Sequence, residues 1–318
     1  MIKVVVAGAI NWDINLFVHR FPKPGEEMPV ARIARVPGGK AGNVSVAAAR
    51  LLGPGQVGII GALGYDDIAD MQIRLFKNDG VETSATSRKA DAESGQAYII
   101  TDKSGENIIH THFGANSMLE PADASRPEVR EVIQSAAIAV ITDPPQDVVE
   151  TITGIAHEAG VLVAWDPGVR AEAGMEQLRR VLLCTSYLFL NEAEVEYMTG
   201  TKEPEEAAKR LSTINPDLTA ILKSGKEGFT VFRPEGTIRI PGIDLTEWGL
   251  RVVNTVGCGD AFLGAFSAGK ALKLSDEEAL HWANWAGALK ATKSETRGSP
   301  TRRELERWTS RAASSAKG

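Results

Sequence analysis

Cysteine is almost missing from this chain of 318 residues, with only Cys184 and Cys258 present. Two thiols cannot build a disulfide framework, and Cys258 stands inside a glycine-rich turn, so the sequence points to a reducing, cytoplasmic setting. Long apolar runs are missing too. The opening stretch Met1–Ile10 carries a lysine and then meets Asn11, Trp12 and Asp13, too soon for a membrane span or a signal peptide. It reads as a first buried strand. Surplus positive charge is lacking: 35 basic against 41 acidic residues leave a net charge of −6, with no general attraction to nucleic acid or anionic lipid. An anionic ligand must therefore be held by a local site. Two common phosphate-binding patterns are absent as well. No Gly-x-Gly-x-x-Gly follows the first strand, and no Gly-Lys-Ser/Thr closes a Walker A loop.

What is present is ordinary globular material, 43% hydrophobic and 24% charged, arranged in a clear rhythm. Strand-like runs at Lys3–Ala7, Val57–Gly61, Ala137–Ile141, Val161–Trp165, Tyr187–Leu190 and Thr219–Leu222 alternate with amphipathic stretches. The latter are Gly42–Leu52, Asp67–Asn78, Pro127–Gln134, Asp147–Ala159, Glu192–Thr199 and Glu203–Leu211. Alternation of this kind predicts an α/β fold, a mostly parallel sheet covered by helices on both faces. From Gly259 to about Ala312 strand signals stop and three successive helices are expected, the last capped by Ser299 ahead of Pro300. The tail Ala312–Gly318 reads as frayed. No repeat or long linker divides the chain, so one domain over residues 1–318 is expected.

Two segments break the rhythm. Ala97–Thr101 and Asn107–Thr111 flank the turn Asp102-Lys103-Ser104-Gly105, and Ile14–Val18 and Val30–Val36 flank Pro22-Lys23-Pro24-Gly25. Neither pair has a helix of its own. Together, over about 14–36 and 95–113, they are expected to form a small antiparallel sheet outside the main fold, placed as a lid over a cleft.

The sharpest local signal is Thr255-Val256-Gly257-Cys258-Gly259-Asp260 ahead of a helix of small and apolar residues. Glycines spaced by one residue let consecutive backbone N–H groups converge, and the helix start adds its positive dipole end, so an anion can sit there without a lysine. Asp260 is placed to take a proton from a hydroxyl attacking that anion. The plainer reading is an Asp N-cap. A second element is Gly38-Gly39-Lys40-Ala41-Gly42-Asn43, which opens another small-residue helix: paired glycines admit a ligand close to the backbone, and Lys40 and Asn43 orient it. Asn11 and Asp13 follow the first strand at its C-terminal end, the edge where open parallel sheets bind ligands.

With both elements in hand, the chain resembles the PfkB or ribokinase-like carbohydrate kinases from Val4 to about Glu304. The family's N-terminal signature is similar to Gly38–Asn43 and its C-terminal signature to Asn254–Asp260. Gly114-Ala115-Asn116, Asp166-Pro167-Gly168, Asn191-Glu192-Ala193-Glu194 and Ala283-Asn284 fall where the family has counterparts. The resemblance implies a ribokinase-like fold with a β lid that commonly mediates dimerisation. It implies Mg-dependent phosphoryl transfer from ATP to a primary hydroxyl of a small sugar. Asp260 would be the catalytic base, with Gly257, Cys258 and Gly259 as the anion hole. Asn11, Asp13, Gly38, Gly39, Lys40 and Asn43 would bind the sugar, with Asp143 where relatives often carry a glutamate. Asn191 and Glu194 would position magnesium and the phosphates, Glu194 through water. Lys223, Gly225, Gly228 and Thr255 would hold the nucleotide, with Asn284 near the adenine.

Three departures stand out. Asn254 replaces an aspartate that contributes to a monovalent-cation site in many members, which puts a potassium requirement in question. Lys223 replaces a threonine and is expected to reach a nucleotide phosphate. Cys258 replaces a small alanine, a mild change where backbone amides do the work. His110 and His112 flank Thr111 and could share a face, yet no acidic or cysteine partner stands at metal-ligand spacing, so no zinc site is expected. Trp282 and Trp285, three apart on a helix, read as packing or as a wall of the adenine site. Arg170 reads as surface, or as a hold for an acceptor phosphate. Nucleoside kinases are the nearest alternative, with Trp12, Phe17 and Phe113 available for a base pocket. Phosphosugar kinases and a non-catalytic sugar or nucleotide sensor follow.

Overall fold

The computed structural model describes residues 1–315. With strands numbered along the chain, the main sheet runs in the order β15 (Gly236–Ile240), β14 (Phe229–Arg233), β13 (Thr219–Lys223), β12 (Tyr187–Asn191), β11 (Leu162–Trp165), β10 (Ile138–Ile141), β1 (Val4–Ala7), β4 (Val57–Ile60) and β6 (Val81–Glu82). From β6 to β13 every pairing is parallel. A parallel sheet is covered on both faces, and β1 records it. Val4 and Val6 enter one apolar core, with the helices Lys40–Leu52, Cys258–Ala271 and Asp276–Ala291, and Val5 and Ala7 enter the other. The second core is closed by Pro127–Ser135, Gln146–Glu158 and neighbouring helices.

The expected strands and helices recur with ends shifted by a residue or two. The antiparallel edge β14–β15 is an addition: Phe229-Thr230-Val231-Phe232-Arg233 is short, and what makes it a strand is pairing with β13, which its own pattern does not reveal. The last helix, Arg302–Ser315, is capped by Thr301, whose Oγ1 accepts from Glu304 N at 3.3 Å; Ser299 instead gives its carbonyl to Arg50. Residues 312–315 continue that helix, and the remainder of the expected frayed tail lies outside the described residues.

A separate sheet stands apart from the main one, in the order β3 (Arg32–Gly38), β2 (Asn11–Phe17), β8 (Gly95–Thr101), β9 (Asn107–His112). The two outer pairs are antiparallel, as expected, but β2 and β8 run parallel, so the sheet is mixed. The reason is topological: both central strands leave the same edge of the main fold. A short parallel bridge, β5 (Ala62–Leu63) with β7 (Ser87–Arg88), lies beside it. Successive parallel strands deliver Asp143, Asp166, Asn191 and Lys223 to one sheet edge, at or just beyond the C-terminal ends of β10, β11, β12 and β13. Ligands of open α/β sheets bind there.

Candidate active site

Two helix starts meet at this edge. Gly39, at φ 83°, precedes Lys40–Leu52, and Gly257, at φ 85°, precedes Cys258–Ala271; neither helix has a side-chain cap. Elsewhere Asp66, Asn191 and Ser275 do cap their helices. Cys258 N donates to the Thr255 carbonyl at 3.1 Å, and the other first-turn N–H groups at the two glycine starts are left for something else. Glycine is required at both. A Cβ on Gly39 would lie 2.5 Å from the Ala9 carbonyl oxygen, and one on Gly257 would lie 2.5 Å from that of Thr296. The helices themselves touch closely, because a Cβ on Gly264 would come within 2.6 Å of that of Ala47.

Asp260 is not the N-cap; Gly257 is, and Asp260 lies in the first turn. Its Oδ2 accepts from Asn43 Nδ2 at 2.8 Å, which joins the two signatures directly. Burial pushes the Asp260 carboxyl up to about 6, against the lowering effects of the Asn43 hydrogen bond and the Lys40 charge. Asp13 is buried within reach of the Asp260 charge, with its carboxylate so close to Gly38 that a Cβ there would overlap it. Burial pushes Asp13 up to about 7, Arg297 opposes, and the Asp260 charge adds to the rise. Two adjacent carboxyl groups near neutrality make a site that can take up or hold a proton at physiological pH.

A charged cluster flanks this pair. Asp166 accepts from Lys40 Nζ at 2.8 Å and from Lys223 Nζ at 2.7 Å. Burial opposes its ionisation, but the two ammonium groups hold its carboxyl well below the usual range. Burial also works against the Lys40 charge, and Asp166, Asp143 and Glu194 more than offset it. Glu194 is raised by burial and by Asp166. Asn191 and Glu194 form a reciprocal capping box: Asn191 N donates to Glu194 Oε2 at 2.8 Å, and Glu194 N to Asn191 Oδ1 at 2.9 Å. The Asn-x-x-Glu spacing thus has a helix-capping function of its own.

Beyond Asp166 opens a cavity of about 350 Å3, lined by Lys223, Gly225, Gly228, Thr255, Cys258, Gly259 and Asn284 together with Phe229, Ile243, Leu245 and Phe262. The expected nucleotide residues converge here, and the walls are mostly apolar, as a flat heterocycle requires. Asn284 Nδ2 donates to the Pro241 carbonyl at 2.9 Å on its rim. Lys223 lines the cavity while its ammonium donates to Asp166, so it does not simply point into solvent.

On the other side, Asp143 Oδ1 accepts from Ala9 N at 3.0 Å and from Thr142 Oγ1 at 2.9 Å. Asn11 Oδ1 accepts from Asn116 Nδ2 at 2.8 Å, while Asn116 Oδ1 accepts from Ile10 N at 2.9 Å, so Asn116 orients Asn11. Cross-strand partners share a sheet face. Asp13, Ala97 and Thr111 look one way; Trp12, Gln96 and His112, with Ile14, Tyr98 and His110, look the other. The two histidines do share a face, but it is turned away from Asp13. Trp285 stacks on Trp308 at 5.9 Å and meets Trp248 edge-on, so this tryptophan packs the C-terminal helices and does not wall the cavity; Trp282, partly buried, also lies outside the lining. Arg170 Nε donates to the Pro144 carbonyl at 3.1 Å.

The sequence reading missed Arg297. It is buried, and donates to Asn43 Oδ1 at 3.3 Å, to the Gly38 carbonyl at 3.0 Å and to Gln72 Oε1 at 3.2 Å. Its guanidinium lies 4.7 Å from the Phe76 ring centroid, and burial lowers its pKa to about 10. Gln72 Nε2 in turn donates to the Asn11 carbonyl at 2.6 Å. Arg297 comes from the polar connection Thr292–Thr301, which has no periodicity or motif to mark it. Asp166 did carry a signal, the Asp-Pro-Gly turn, but not its two lysine partners.

An acid near neutrality, a cationic cluster and a glycine-bounded helix start beside an apolar cavity define a site built for phosphoryl transfer. Comparison with known proteins gives the same class. The model of the pfkB family carbohydrate kinases matches residues 1–312. The chain is 30% identical over 301 residues to an ATP-dependent ribose-1-phosphate kinase of Halopiger xanaduensis, covering 95% of this chain and 96% of that protein. It is 30% identical over 306 residues to a ribokinase of Haemophilus influenzae, again covering 95% and 96%. Among solved structures, a ribokinase from Thermotoga maritima superposes with a TM-score of 0.86 at 24% identity, over 98% of this chain and 100% of that one. An Arabidopsis thaliana ribokinase complexed with ribose and ATP gives 0.85 at 24% identity, over 97% and 99%. The chain belongs to the pfkB family and is a carbohydrate kinase of the ribokinase-like type.

Proposed function

We propose that the chain transfers the γ-phosphoryl group of ATP to a primary hydroxyl of a small sugar, with Asp260 as the general base. The observation that carries this is the Asn43–Asp260 hydrogen bond, which sets the base between the Gly38–Asn43 segment and the Gly257–Gly259 turn. The sugar lies against Asn11, Asp13, Gly38, Gly39 and Asn43, with Asp143 at its edge. Lys40, held by Asp166, keeps the floor of the site positive. The adenine enters the apolar cavity towards Asn284, and Gly225, Gly228 and Thr255 border the phosphates. Asp260 takes the hydroxyl proton as the oxygen attacks in line. The amides of Gly257, Cys258 and Gly259 receive the charge that develops on the phosphoryl oxygens.

Magnesium fits this donor set through Glu194. Among the described residues no group of three or more His, Cys, Asp or Glu could hold a metal. An ion that keeps most of its water and binds through one carboxylate plus substrate phosphates needs no such group. Bound there, it would neutralise phosphate charge; Asn191 holds Glu194 in place by the capping box.

The mixed sheet, residues about 14–36 and 95–113, is proposed to close over the sugar with the Asp13 face inward. Its outward face carries Ile33, Tyr98 and Ile108, all exposed, which supports pairing of two copies through this surface. No helix among the described residues is long and apolar enough to cross a membrane, and both cysteines are free, in keeping with a cytoplasmic enzyme. No nucleic-acid partner is proposed.

A nucleoside acceptor is disfavoured by where two of the three candidate aromatics fall, with Phe113 exposed ahead of Gly114. Trp12 shares the face turned away from Asp13, and Phe17 lies at the far end of β2 with the Arg32 guanidinium 3.9 Å from its centroid. A phosphorylated pentose is the second reading: one relative at 30% identity is named a ribose-1-phosphate kinase, and Arg170 stands next to Asp143 through the Pro144 carbonyl. An ADP- and AMP-release screen across pentoses, hexoses, their phosphates and nucleosides, with ATP and ADP as donors, decides among them. Turnover confined to nucleosides would overturn the sugar reading, and none with any acceptor would leave a sensor.

A further inference from the structure

Behind the Gly257 turn lies a charged group that the reaction described so far does not use. Lys290, on the helix Asp276–Ala291, is fully buried. Its ammonium donates to the main-chain carbonyl of Asn254 at 2.9 Å and, more weakly, to that of Lys293 at 3.5 Å. Among the described residues no carboxylate lies within ion-pair distance of it. Its Cε would lie 3.5 Å from a Cβ built on Gly257, so the side chain runs directly beneath the anion-hole turn. The same two loops are pinned on either side. Asn254 Nδ2 donates to the Ser294 carbonyl at 2.8 Å, Asn254 Oδ1 accepts from Val256 N at 3.0 Å, and Val253 N donates to the Ala291 carbonyl at 2.7 Å.

A buried cation held by main-chain carbonyl oxygens resembles the way a protein holds a desolvated ion. Here the ion is covalently attached. We propose that Lys290 is a tethered monovalent cation for the anion-hole turn, and that turnover is therefore independent of added potassium. The role is positioning and electrostatic: the ammonium orders the carbonyls of the Asn254 and Lys293 loops and adds a fixed positive charge behind the amides of Gly257–Gly259. Fixed charge in a site shielded from water acts on developing phosphate charge far more strongly than the same charge in solvent. The neutral Asn254 suits this arrangement, since its amide bonds Ser294 and Val256 and leaves its carbonyl to Lys290. Burial lowers the Lys290 pKa, while Cys258, Glu295 and Asp260 nearby oppose that fall and favour the charged form.

The proposal rests on the reading of Gly257–Gly259 as the phosphate-holding turn, and the test separates the two. Initial rates of the wild-type enzyme with its best acceptor are measured in potassium, sodium and tetramethylammonium chloride at equal ionic strength, beside Lys290→Met and Lys290→Ala. Wild-type kcat is expected to change by less than twofold among the salts. Both variants are expected to lose at least tenfold in kcat with little change in the KM for the sugar, and Lys290→Ala to regain part of the loss with potassium or ethylammonium. Wild-type activity that requires potassium overturns the proposal, whether or not the variants fold. So does a variant with undiminished kcat, or a folded Lys290→Ala that is slow but indifferent to every cation, because packing alone would explain the latter. Wild-type protein inactive on every acceptor would instead sink the kinase reading itself.

Discussion

Asn43 and Asp260, 217 residues apart in the chain, share one hydrogen bond of 2.8 Å at the meeting point of two helix starts. The amide donates, so the Asp260 oxygen it reaches is oriented while the carboxyl as a whole stays basic enough, at about 6, to take a proton near neutrality.

Replacing Asp260 with asparagine is expected to lower kcat about a thousandfold, within the range for loss of a general base. ATP affinity by calorimetry should stay within a few-fold, since the anion hole is backbone. Near-normal turnover would remove Asp260 from the chemistry.

The pH profile should carry the same signature. A base works when deprotonated, so kcat/KM is expected to rise with pH through an acid limb between about 6 and 7, the values to which Asp260 and Asp13 are pushed. The two carboxyls influence each other, and the limb should belong to the pair. Asp13→Asn should leave a single limb near 6 on whatever activity remains.

Asp13 also makes a stability prediction. Its carboxyl is raised in the folded protein, so the folded state holds the proton more tightly than the unfolded chain, and stability falls as pH rises from about 4 through 7. Asp13→Asn should therefore raise the melting temperature at pH 8, by the equivalent of ~1 kcal/mol or more, and the gain should shrink as pH falls and disappear by about pH 4. Sugar affinity should fall at the same time. A variant less stable than wild type at pH 8 would show that the Arg297 attraction outweighs the burial cost.

Arg297 is expected to be among the most sensitive positions in the molecule. Arg297→Met leaves the Gly38 carbonyl, Asn43 Oδ1 and Gln72 Oε1 short of a donor, and should cost about 3 kcal/mol in chemical denaturation. Arg297→Lys should not restore it, because one ammonium lacks the planar fork that reaches those acceptors. In whatever folds, sugar KM should rise more than ATP KM. An equal rise in both would place Arg297's influence elsewhere.

Gly257→Ala tests the turn. Its φ of 85° and the Thr296 carbonyl 2.5 Å from a Cβ leave no room, so a loss of ~1–2 kcal/mol in stability should accompany a kcat loss of at least tenfold. Gly259→Ala, where a Cβ meets nothing within 4 Å, is the control and should be milder.

Much of this molecule was legible one residue at a time. Apolar runs of period one and stretches of period 3.6 gave the alternating α/β order to within a residue or two at most ends, because burial on both faces leaves little choice of residue. Gly38–Asn43 and Gly257–Asp260 could be read because backbone geometry, a positive φ or a missing Cβ, demands glycine locally. The same logic failed where identity depends on a partner. Asn191 and Glu194 fit a phosphate-side motif and a capping box equally well by spacing, and His110 and His112 could be put on one face but not told which way it looks. β14 is a strand because β13 lies beside it, and β2 lies parallel to β8 because of how both leave the main fold.

The sequence by itself determined the class of fold and the two glycine-bounded helix starts, since each is fixed by local conformation or by short-range pattern. Only the tertiary structure decided that Asn43 reaches Asp260, that Asp166 ties Lys40 to Lys223, and that Arg297 and Lys290 stand beneath the two starts. Charges of this kind are placed by burial and by partners brought from distant parts of the chain, and neither quantity exists until the chain has folded.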